Sequence, residues 1–388
     1  MAVTGIICEY NPLHMGHKKQ MDLIRREDSQ GGIVCLMSGN FVQRGEPAVI
    51  DKSLRAAAAI MAGADLVLEL PVNAALSSAE GFAAQGVSIL GKFCDRLCFG
   101  AETDQLDSLL NVSRSLLSSQ FAPRLQEELQ KGLSFPSARQ RALESMGVQA
   151  DILSTPNNIL AVEYCKAILS QELSMEPMVI LREGGYHDTL PHPANPSATA
   201  VRALMFQSGA WLDYVPQEAR ECLEGAMLHS LTYGERAILT RLRTMCDAEF
   251  EALPYGSEGL WRKFMHNARS LATLEEILTA TKSKRYTRTR LNRMMLCAFL
   301  GLTQEDLRTS APYVRVLALN DRGRNILKSA RKTGFFPNIG ERIDDTWWDT
   351  EKRIADLYGL FSESPEAPGQ EEKKRIFYYS PPSSDAFY

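Results

Sequence analysis

The sequence of 388 residues contains no apolar run close to the roughly 20 residues that a membrane-spanning helix needs. Residues 1–8 lack the basic flank and the cleavage pattern of a secretory signal peptide. The formal net charge of -4 is too small to favour a nucleic acid, a membrane surface or an acidic partner. We therefore expect a cytoplasmic protein with no membrane partner, in which any charged binding surface is local.

The sequence also lacks the patterns of several common metal and nucleotide sites. Its eight cysteines are scattered, and because only Cys94 and Cys98 lie close together, no zinc framework is completed and buried thiols are expected. No Gly-x-Gly-x-x-Gly follows a predicted strand. Residues 86–93 resemble a P-loop, but Phe93 stands where a Ser or Thr would hold magnesium. No metal site is predicted, and neither nucleotide motif applies.

Short apolar runs alternate with amphipathic helical patterns over the first 210 residues. Strands are predicted at residues 4–8, 33–37, 65–69, 96–99 and 178–181. Helices are predicted at residues 17–26, 52–62, 79–92 and 159–170. This alternation predicts an α/β fold with a Rossmann-like parallel sheet covered on both faces. Such sheets bind ligands beyond the carboxyl ends of their strands.

From about residue 215 the pattern becomes helical. Helices are predicted at residues 231–245, 260–270 and 274–281, and a strand at 314–319. We therefore divide the chain into an α/β domain over residues 1–210, a mostly helical domain over 211–361 and a tail over 362–388. The tail is rich in Ser, Pro, Glu and Lys, a composition typical of disorder.

The first predicted strand runs directly into the turn His14-Met15-Gly16-His17, where a helix is predicted to begin. Free backbone N–H groups at such a helix start, together with the helix dipole, favour anionic phosphates. Gly16 lets a nucleotide lie close to the backbone. His14 and His17 are the predicted catalytic residues, because they can donate hydrogen bonds to phosphate as negative charge moves onto leaving diphosphate.

The His-x-Gly-His turn resembles the signature of nucleotidyltransferases that carry out adenylyl transfer. Further segments narrow the resemblance: Met-Ser-Gly-Asn-Phe-Val-Gln-Arg-Gly-Glu-Pro at 37–47, Leu-Glu-Leu-Pro at 68–71, Phe-Gly-Ala-Glu at 99–102, Pro-Asn-Asn-Ile-Leu at 156–160 and Ser-Lys-Arg-Tyr-Thr at 283–287. Together they resemble the bacterial tRNA(Met) cytidine acetate ligase family, in order, from residue 1 to about 360.

The resemblance implies an ATP-dependent ligase. ATP, accompanied by Mg²⁺, and acetate would form acetyl-adenylate, and the acetyl group would pass to N4 of the wobble cytidine of elongator tRNA(Met). The implied nucleotide residues are Ile7, Cys8, Glu9, Tyr10, Asn11, Pro12, Leu13, His14, Met15, Gly16, His17, Lys18, Lys19, Gln20, Gly100, Asn158 and Arg182. No residue pattern identifies the acetate pocket, the base for acetyl transfer or the oligomeric state.

Three of the implied residues have a physical reason to contact the nucleotide. Gly100 ends a strand where the backbone can approach a ligand, Asn158 near a helix start can cap it or bond a base edge, and Arg182 can hold a phosphate through paired N–H groups. The family motif usually reads Phe-Gly-Ser-Glu, and Ala101 replaces the Ser here, which puts a hydroxyl contact in doubt.

A second candidate phosphate site lies at residues 195–202, where Ser197, Thr199 and Arg202 surround a predicted helix start. The alternative, a plain N-cap by Ser197 with Arg202 on the surface, is equally compatible with the sequence. Of Lys18 and Lys19, one is expected to face the phosphates and the other the solvent.

A basic interval without acidic residues lies between Glu276 and Glu305. It predicts contact with an RNA backbone and stacking by its tyrosine, through Lys282, Lys284, Arg285, Tyr286, Arg288, Arg290 and Arg293. Arg322, Arg324, Lys328, Arg331 and Lys332 form a second basic stretch.

Two other functions share the same motif. One is a cofactor-forming adenylyltransferase, although such enzymes are usually much shorter. The other is an RNA-binding protein whose nucleotide site is regulatory, which the intact histidines argue against.

Overall fold

The computed structural model describes residues 2–182, 196–207, 209–330 and 346–380. The short runs rich in Val, Ile and Leu form strands, as their β-branched and apolar composition predicts. These strands are β1 (Val3–Cys8), β2 (Gly32–Ser38), β3 (Phe41–Val42), β4 (Glu46–Pro47), β5 (Leu66–Leu70), β6 (Arg96–Ala101), β7 (Glu176–Leu181), β8 (Val316–Asn320) and β9 (Phe377–Tyr379).

Seven of these strands form one sheet in the order β7-β6-β1-β2-β5-β8-β9. The pairs β6–β7, β1–β6, β1–β2, β2–β5 and β8–β9 are parallel, and β5–β8 is antiparallel. The carboxyl ends of β1, β2, β5, β6 and β7 therefore meet at one edge of the sheet. This arrangement confirms the predicted Rossmann-like fold, with one antiparallel addition at the side of β5.

Helices cover both faces of the sheet and form most of the chain after residue 215. Their bounds are α1 (Met15–Glu27), α2 (Lys52–Met61), α3 (Val72–Ala75), α4 (Ala79–Leu90), α5 (Leu106–Leu117), α6 (Phe121–Gln130), α7 (Phe135–Glu144), α8 (Pro156–Ser170), α9 (Ala198–Met205), α10 (Gln217–Leu223), α11 (Leu231–Thr244), α12 (Asp247–Glu251), α13 (Leu260–Ser270), α14 (Leu274–Thr281), α15 (Arg288–Leu300), α16 (Asp321–Ala330) and α17 (Thr346–Tyr358). None of the helices in the described ranges is long and apolar enough to cross a membrane.

The later helices pack around α15, which is buried from Leu291 to its end. Thr287 caps its first turn through a hydrogen bond from Arg290 N–H (3.3 Å), and Gly301 ends it in the left-handed conformation with φ 67°. Phe41 from β3 inserts into the same apolar cluster and meets the Phe361 ring edge-on at 5.7 Å. Each large apolar side chain buried there contributes roughly 1.5–3 kcal/mol. The helical part therefore packs firmly on the separate antiparallel hairpin that β3 forms with β4.

The C-terminal segment returns to the sheet, in contrast to the disorder expected over 362–388. Residues 377–379 form β9, which pairs with β8, while residues 381–388 lie outside the described ranges. The predicted division at residues 210 and 361 stays a prediction. Strands from both later parts nevertheless belong to the first sheet, because β8 and β9 complete it beside β5.

A buried network of ion pairs joins this C-terminal segment to α2. The Nζ atom of Lys52 lies 2.6 Å from Glu69 and 2.7 Å from Glu371, and both partners are buried. Arg315 pairs with the same two carboxylates, and Lys374 pairs with Asp51 at 2.5 Å. The start of α2 is therefore held in place by residues more than 300 positions further along the chain.

Candidate active site

The turn after β1 is fixed by hydrogen bonds from distant segments. Tyr10 has a φ of 42°, the Asn11–Pro12 peptide bond is cis, and the Asn11 side chain accepts a hydrogen bond from Val49 N–H at 2.7 Å. Arg55, which is fully buried, donates to the carbonyls of Glu9 (2.7 Å) and Ser38 (3.0 Å) and also to those of Gly39 and Ile50. One guanidinium thus holds together the loops that follow β1 and β2.

His14 is the N-cap of α1, and His17 completes a reciprocal capping box with it. The Gly16 N–H donates to Nδ1 of His14 at 3.1 Å, and the His14 N–H donates to Nδ1 of His17 at 3.2 Å. The two rings stack with centroids 3.7 Å apart. Since each Nδ1 accepts a hydrogen bond, each neutral ring carries its proton on Nε2. Both histidines therefore present an N–H donor, and the predicted donation to phosphate stays a prediction.

The capping box corrects one expectation about the helix start. The Gly16 N–H, expected to be free for phosphate, is already bonded to His14. At this position the His14 ring stands between the electropositive end of α1 and the cleft. Its Nε2–H is the N–H donor that this pair of groups presents outward.

Both imidazoles are held neutral by their surroundings. The pKa of His14 is lowered to about 3, mainly by burial and in part by the nearby charges of Arg182 and Arg202. Burial, His14 and Arg182 likewise lower the pKa of His17 well below its usual value. Arg182 and Arg202 therefore place fixed positive charge near the turn, and the histidines supply neutral, oriented donors.

A cleft of about 560 Å³ opens at the carboxyl ends of the parallel strands and is continuous with a smaller pocket of about 90 Å³. Most of the predicted nucleotide residues line one or both, namely Ile7, Cys8, Glu9, Tyr10, Asn11, His14, Gly16, His17, Lys19, Gln20, Gly100, Arg182, Ser197, Thr199 and Arg202. In the described part of the chain, no group of three His, Cys, Asp or Glu residues is placed to hold a metal ion.

Five predicted nucleotide residues line neither cavity. Pro12 and Leu13 are buried in the core, and Met15 is half-buried. Lys18 forms an ion pair with Asp22 at 2.5 Å, so Lys19 is the lysine of the pair that faces the smaller pocket.

Asn158, the fifth of these, is buried behind the cleft wall. Its side-chain oxygen accepts from Glu102 N–H and its own N–H donates to Glu102 Oε2, both at 2.9 Å. Asn157 lines the cleft in its place, donating to Glu102 at 2.6 Å and accepting from Arg182 at 3.4 Å. Ala101 is buried, so the missing hydroxyl leaves no gap in the lining.

The start of helix α9 combines a part of each interpretation of residues 195–202. Ser197 caps α9 by accepting from Ala200 N–H at 3.2 Å, as the simpler alternative requires. Arg202, however, is not on a distant surface: its Nη1 donates to the Asn11 carbonyl at 2.7 Å, and it lines the cleft with Thr199. The phosphate contact of this helix start stays a prediction. Residue 195 lies outside the described ranges.

Comparison with known proteins agrees with this architecture along almost the whole chain. Residues 1–373 match the HIGH Nucleotidyl Transferase family. The tRNA(Met) cytidine acetate ligase of Clostridium acetobutylicum is 36% identical over 362 residues, which cover 87% of this chain and 90% of the relative. The protein of the same name from Clostridium novyi is 37% identical over 91% of this chain and 92% of its own length.

The chain belongs to the tRNA(Met) cytidine acetate ligase family.

Crystal structures of Thermotoga maritima TmcAL share the fold of this family member. The structure without ligand superimposes with a TM-score of 0.90 at 30% identity, covering 98% of this chain and 100% of the other. The structure bound with alpha-thio ATP gives a TM-score of 0.87 with the same identity and coverage.

The basic interval of this ligase-family chain is divided between exposed and internally bonded residues. Lys282, Lys284 and Arg285 are exposed, although Arg285 pairs with Glu258 at 2.9 Å. The other predicted RNA residues make internal contacts: Tyr286 with Glu258, Arg288 with Glu275 through both carboxylate oxygens, Arg290 with the Tyr255 carbonyl and Arg293 with the Gln43 carbonyl.

Arg293 is the clearest departure from the predicted RNA surface. It is 8% exposed, packs over the Tyr255 ring and donates to Gln43 O at 3.1 Å, so its buried position is not compatible with the RNA contact predicted for it. The three-residue spacing placed Arg290 and Arg293 on one side of α15, but that side packs inward. Of the second basic stretch, Arg322 donates to the Gly31 carbonyl, and Arg331 and Lys332 lie outside the described residues.

Several residues of the site were not predicted from the sequence. Glu102 lies in a segment that carried the family resemblance, yet no role followed for it because its partners come from α8. Thr287 and Thr289, at the start of α15, line the same cleft as His14 and His17. Both threonines lie within the basic interval, but only the fold brings that interval to the cleft.

Proposed function

We propose that this chain activates acetate with ATP as acetyl-adenylate and transfers the acetyl group to N4 of the wobble cytidine of elongator tRNA(Met), releasing diphosphate and AMP. The observation that carries the proposal is the pair of oriented Nε2–H donors of His14 and His17, at the start of α1 in a large cleft, in a member of this ligase family. Acetate and tRNA enter from the names of the relatives and the resemblance in sequence.

In the first step a carboxylate oxygen of acetate attacks the α-phosphorus of ATP, and the bond to the β-phosphate oxygen breaks. No general base is required, because acetate is already ionised; positioning and charge stabilisation supply the acceleration. His14 and His17 would donate to the oxygens on which charge accumulates, and Arg182 and Arg202 would provide positive charge. Mg²⁺ would enter with the triphosphate as part of the substrate.

The acceptor RNA would approach along the start of α15. Lys282, Lys284 and Arg285 are exposed immediately before this helix, whose first turn lines the cleft at Thr287 and Thr289. Phosphate groups held by these cations would therefore lie beside the entrance to the acyl-adenylate. On this basis we assign the tRNA to the helical part within residues 211–361.

The proposal is tested by incubating the protein with ATP, labelled acetate and total tRNA, followed by nucleoside analysis. We expect label in N4-acetylcytidine and an ATP–diphosphate exchange that depends on acetate. Exchange stimulated by a phosphorylated cofactor precursor instead of acetate would support the adenylyltransferase alternative. Binding of RNA with no exchange at all would support a regulatory nucleotide site.

The RNA surface has its own test. Replacing Lys282, Lys284 and Arg285 by glutamine is expected to weaken tRNA binding. The slope of log K, the association constant, against log salt concentration should become shallower by roughly 0.7 for each lost phosphate contact. Lys131→Gln, an exposed lysine paired with Glu128, is the matched control. Unchanged affinity and salt dependence in the triple variant would remove these residues from the interface.

A further inference from the structure

The second step of the proposed reaction needs a group that accepts a proton, because the exocyclic amine of cytidine loses one as it becomes an amide. The cleft offers few such groups among the described residues. The Nδ1 atoms of His14 and His17 already accept hydrogen bonds and their Nε2 atoms carry protons, so neither neutral ring has a free acceptor nitrogen. Burial raises the pKa of Cys8 and of Tyr10 well above the usual values, which keeps both groups protonated.

Three carboxylates line the cleft: Glu9, Glu46 and Glu102. Glu102 accepts from the Thr155 hydroxyl (2.8 Å), the Asn157 amide (2.6 Å) and the Asn158 N–H (2.9 Å). Burial raises its pKa, but these hydrogen bonds outweigh burial and the pKa is lowered. Glu102 therefore serves as a structural acceptor and is a weak base. Glu9 and Glu46 remain.

Glu9 is the carboxylate whose position is fixed. It directly follows β1, five residues before His14, and its Oε1 accepts from Gln43 N–H at 2.7 Å. Its own carbonyl accepts from the buried Arg55 at 2.7 Å. With Oε1 and the backbone both held, Oε2 is the oxygen left to meet a substrate in the cleft. Glu46 lies on the β3–β4 hairpin, and within the described residues no hydrogen bond fixes its carboxylate.

We propose that Glu9 is the general base of acetyl transfer, its Oε2 taking the proton from N4 of the acceptor cytidine. The proposal rests on the function proposed above. The N4 lone pair forms a bond to the acetyl carbonyl carbon, and the bond from that carbon to the phosphate oxygen of acetyl-adenylate breaks. AMP leaves with that electron pair, and the N4 proton moves to Glu9, which later releases it to solvent.

The position of Glu9 places its carboxylate between the expected positions of the nucleotide and the RNA. The nucleotide turn follows it along the chain, and Gln43, which bonds its carboxylate, belongs to the hairpin that contacts α15 through Arg293. The acetyl-adenylate would form at the His14–His17 turn, and the acceptor cytidine would arrive past Thr287 and Thr289. The two would meet beside the Glu9 carboxylate.

The charges around Glu9 tune it for this task. Burial is the largest influence and raises the pKa of Glu9 above its usual value, while Arg44, Arg202 and Arg55 lower it in part. A base whose pKa lies nearer the working pH is a better catalyst of proton transfer. Arg44, Arg55, Arg202 and Tyr164 interact electrostatically with Glu9. The other titratable groups that line the same cleft are Cys8, Tyr10, His14, His17, Glu46, Glu102 and Arg182.

The experiment separates the two half-reactions. Acetate-dependent ATP–diphosphate exchange reports the first, and transfer from chemically prepared acetyl-adenylate to tRNA(Met) reports the second. In Glu9→Gln, which keeps an oxygen for Gln43 N–H, we expect the ratio of transfer to exchange to fall about 100-fold or more. Glu46→Gln is the matched control, and its ratio is expected to stay at the wild-type value.

The pH profile supplies a readout that a structural role would not change. Because the base works in its ionised form, wild-type transfer is expected to slow as pH falls through the pKa of Glu9, and Glu9→Gln to lose this limb. Glu9→Asp is expected to recover part of the transfer rate, which also guards against a folding defect in the glutamine variant.

Three results would overturn the assignment. An unchanged ratio in Glu9→Gln, even with both steps slower, would mean that Glu9 does not take the proton. A pH limb that survives in that variant would lead to the same conclusion, and a selective loss in Glu46→Gln would move the role to Glu46. A wild-type protein with neither half-reaction would overturn the proposed function itself, an outcome distinct from all three.

Discussion

His14 combines two roles that a single substitution can separate. Its Nδ1 accepts the Gly16 N–H at 3.1 Å and so caps α1, while its Nε2–H is the donor that we propose for the nucleotide. Asparagine is among the best N-cap residues, because its side-chain oxygen can accept from the first turn of a helix. His14→Asn therefore keeps the cap and removes the outer donor, whereas His14→Ala removes both.

The magnitudes follow from this division. Both variants lose the buried ring and its stacking on His17, so their difference in stability isolates the cap. We expect His14→Asn to be more stable than His14→Ala by about 1 kcal/mol, within the range of about 0.5–2 found for N-caps. Both should slow acetate-dependent ATP–diphosphate exchange by about 10²–10³, the loss typical of one preorganised donor.

Urea denaturation measures the first quantity and the exchange assay the second. Equal stability of the two variants would show that His14 does not act as the cap. An exchange rate in His14→Asn within about tenfold of wild type would refute the donor role of Nε2. His17→Gln is the matched variant, because Gln at the third helical position can still accept the N-cap N–H but lacks the ring.

Three further predictions concern the framework of the site. Glu371→Gln is expected to cost about 3–5 kcal/mol in urea denaturation at neutral pH, since it leaves a buried cation short of a partner, while the exposed neighbour Glu372→Gln leaves the midpoint nearly unchanged. Burial alone would raise the pKa of Glu371, but the neighbouring cations outweigh burial and the pKa is lowered. The difference in unfolding free energy between wild type and Glu371→Gln should therefore shrink as pH falls below about 4.5. Gly45 has a φ of 77°, and a Cβ added there would lie 2.5 Å from the α15 backbone, so Gly45→Ala should destabilise the protein by about 2 kcal/mol or more. The control Gly132→Ala should cost only about 1 kcal/mol, because φ is 82° there but nothing lies within 4 Å of an added Cβ. Arg55→Lys, which cannot reach four carbonyls at once, should lower the exchange rate by about 10–100-fold with tRNA affinity retained.

The sequence predicted the sheet well because each central strand is a short apolar run bounded by polar turns. All five strands predicted in the first 210 residues are present, with ends shifted by one or two residues. The strand predicted at 314–319 is β8, Val316–Asn320. Periodicity gave no indication that β8 runs antiparallel to β5, since that pairing depends on where a long helical segment returns the chain.

The tail shows why composition alone misled. Residues 362–388 have few apolar side chains, and a stretch of this kind is usually too polar to order itself. Glu371 and Lys374 are nevertheless tied to the body of the protein by Lys52 and Asp51, and β9 pairs with β8. A charge partner more than 300 residues away leaves no mark in the local sequence.

Some residues of the candidate site could be predicted from the local sequence, and others are placed only by contacts with distant segments. The histidine turn could be predicted because its chemistry lies within four residues. Arg293 could not be assigned correctly, since its spacing matches an exposed helix face and its burial depends on the hairpin that carries Gln43. Asn158 and its neighbour Asn157 differ by one position, and only the path of α8 decides which of them faces the cleft.

The three-residue spacing of the two histidines matters for catalysis as well as their identity. At three positions apart, each ring is oriented by a backbone N–H that its Nδ1 accepts, and among the described residues no carboxylate hydrogen-bonds to either ring. In the proposed reaction, ground-state ATP would bind to neutral donors, and these hydrogen bonds would gain strength as charge moves onto the diphosphate in the transition state. Interactions that strengthen in this way lower the barrier, whereas equally strong binding of both states would not. A capping box of two histidines is therefore a means of building a neutral electrophilic site from backbone geometry.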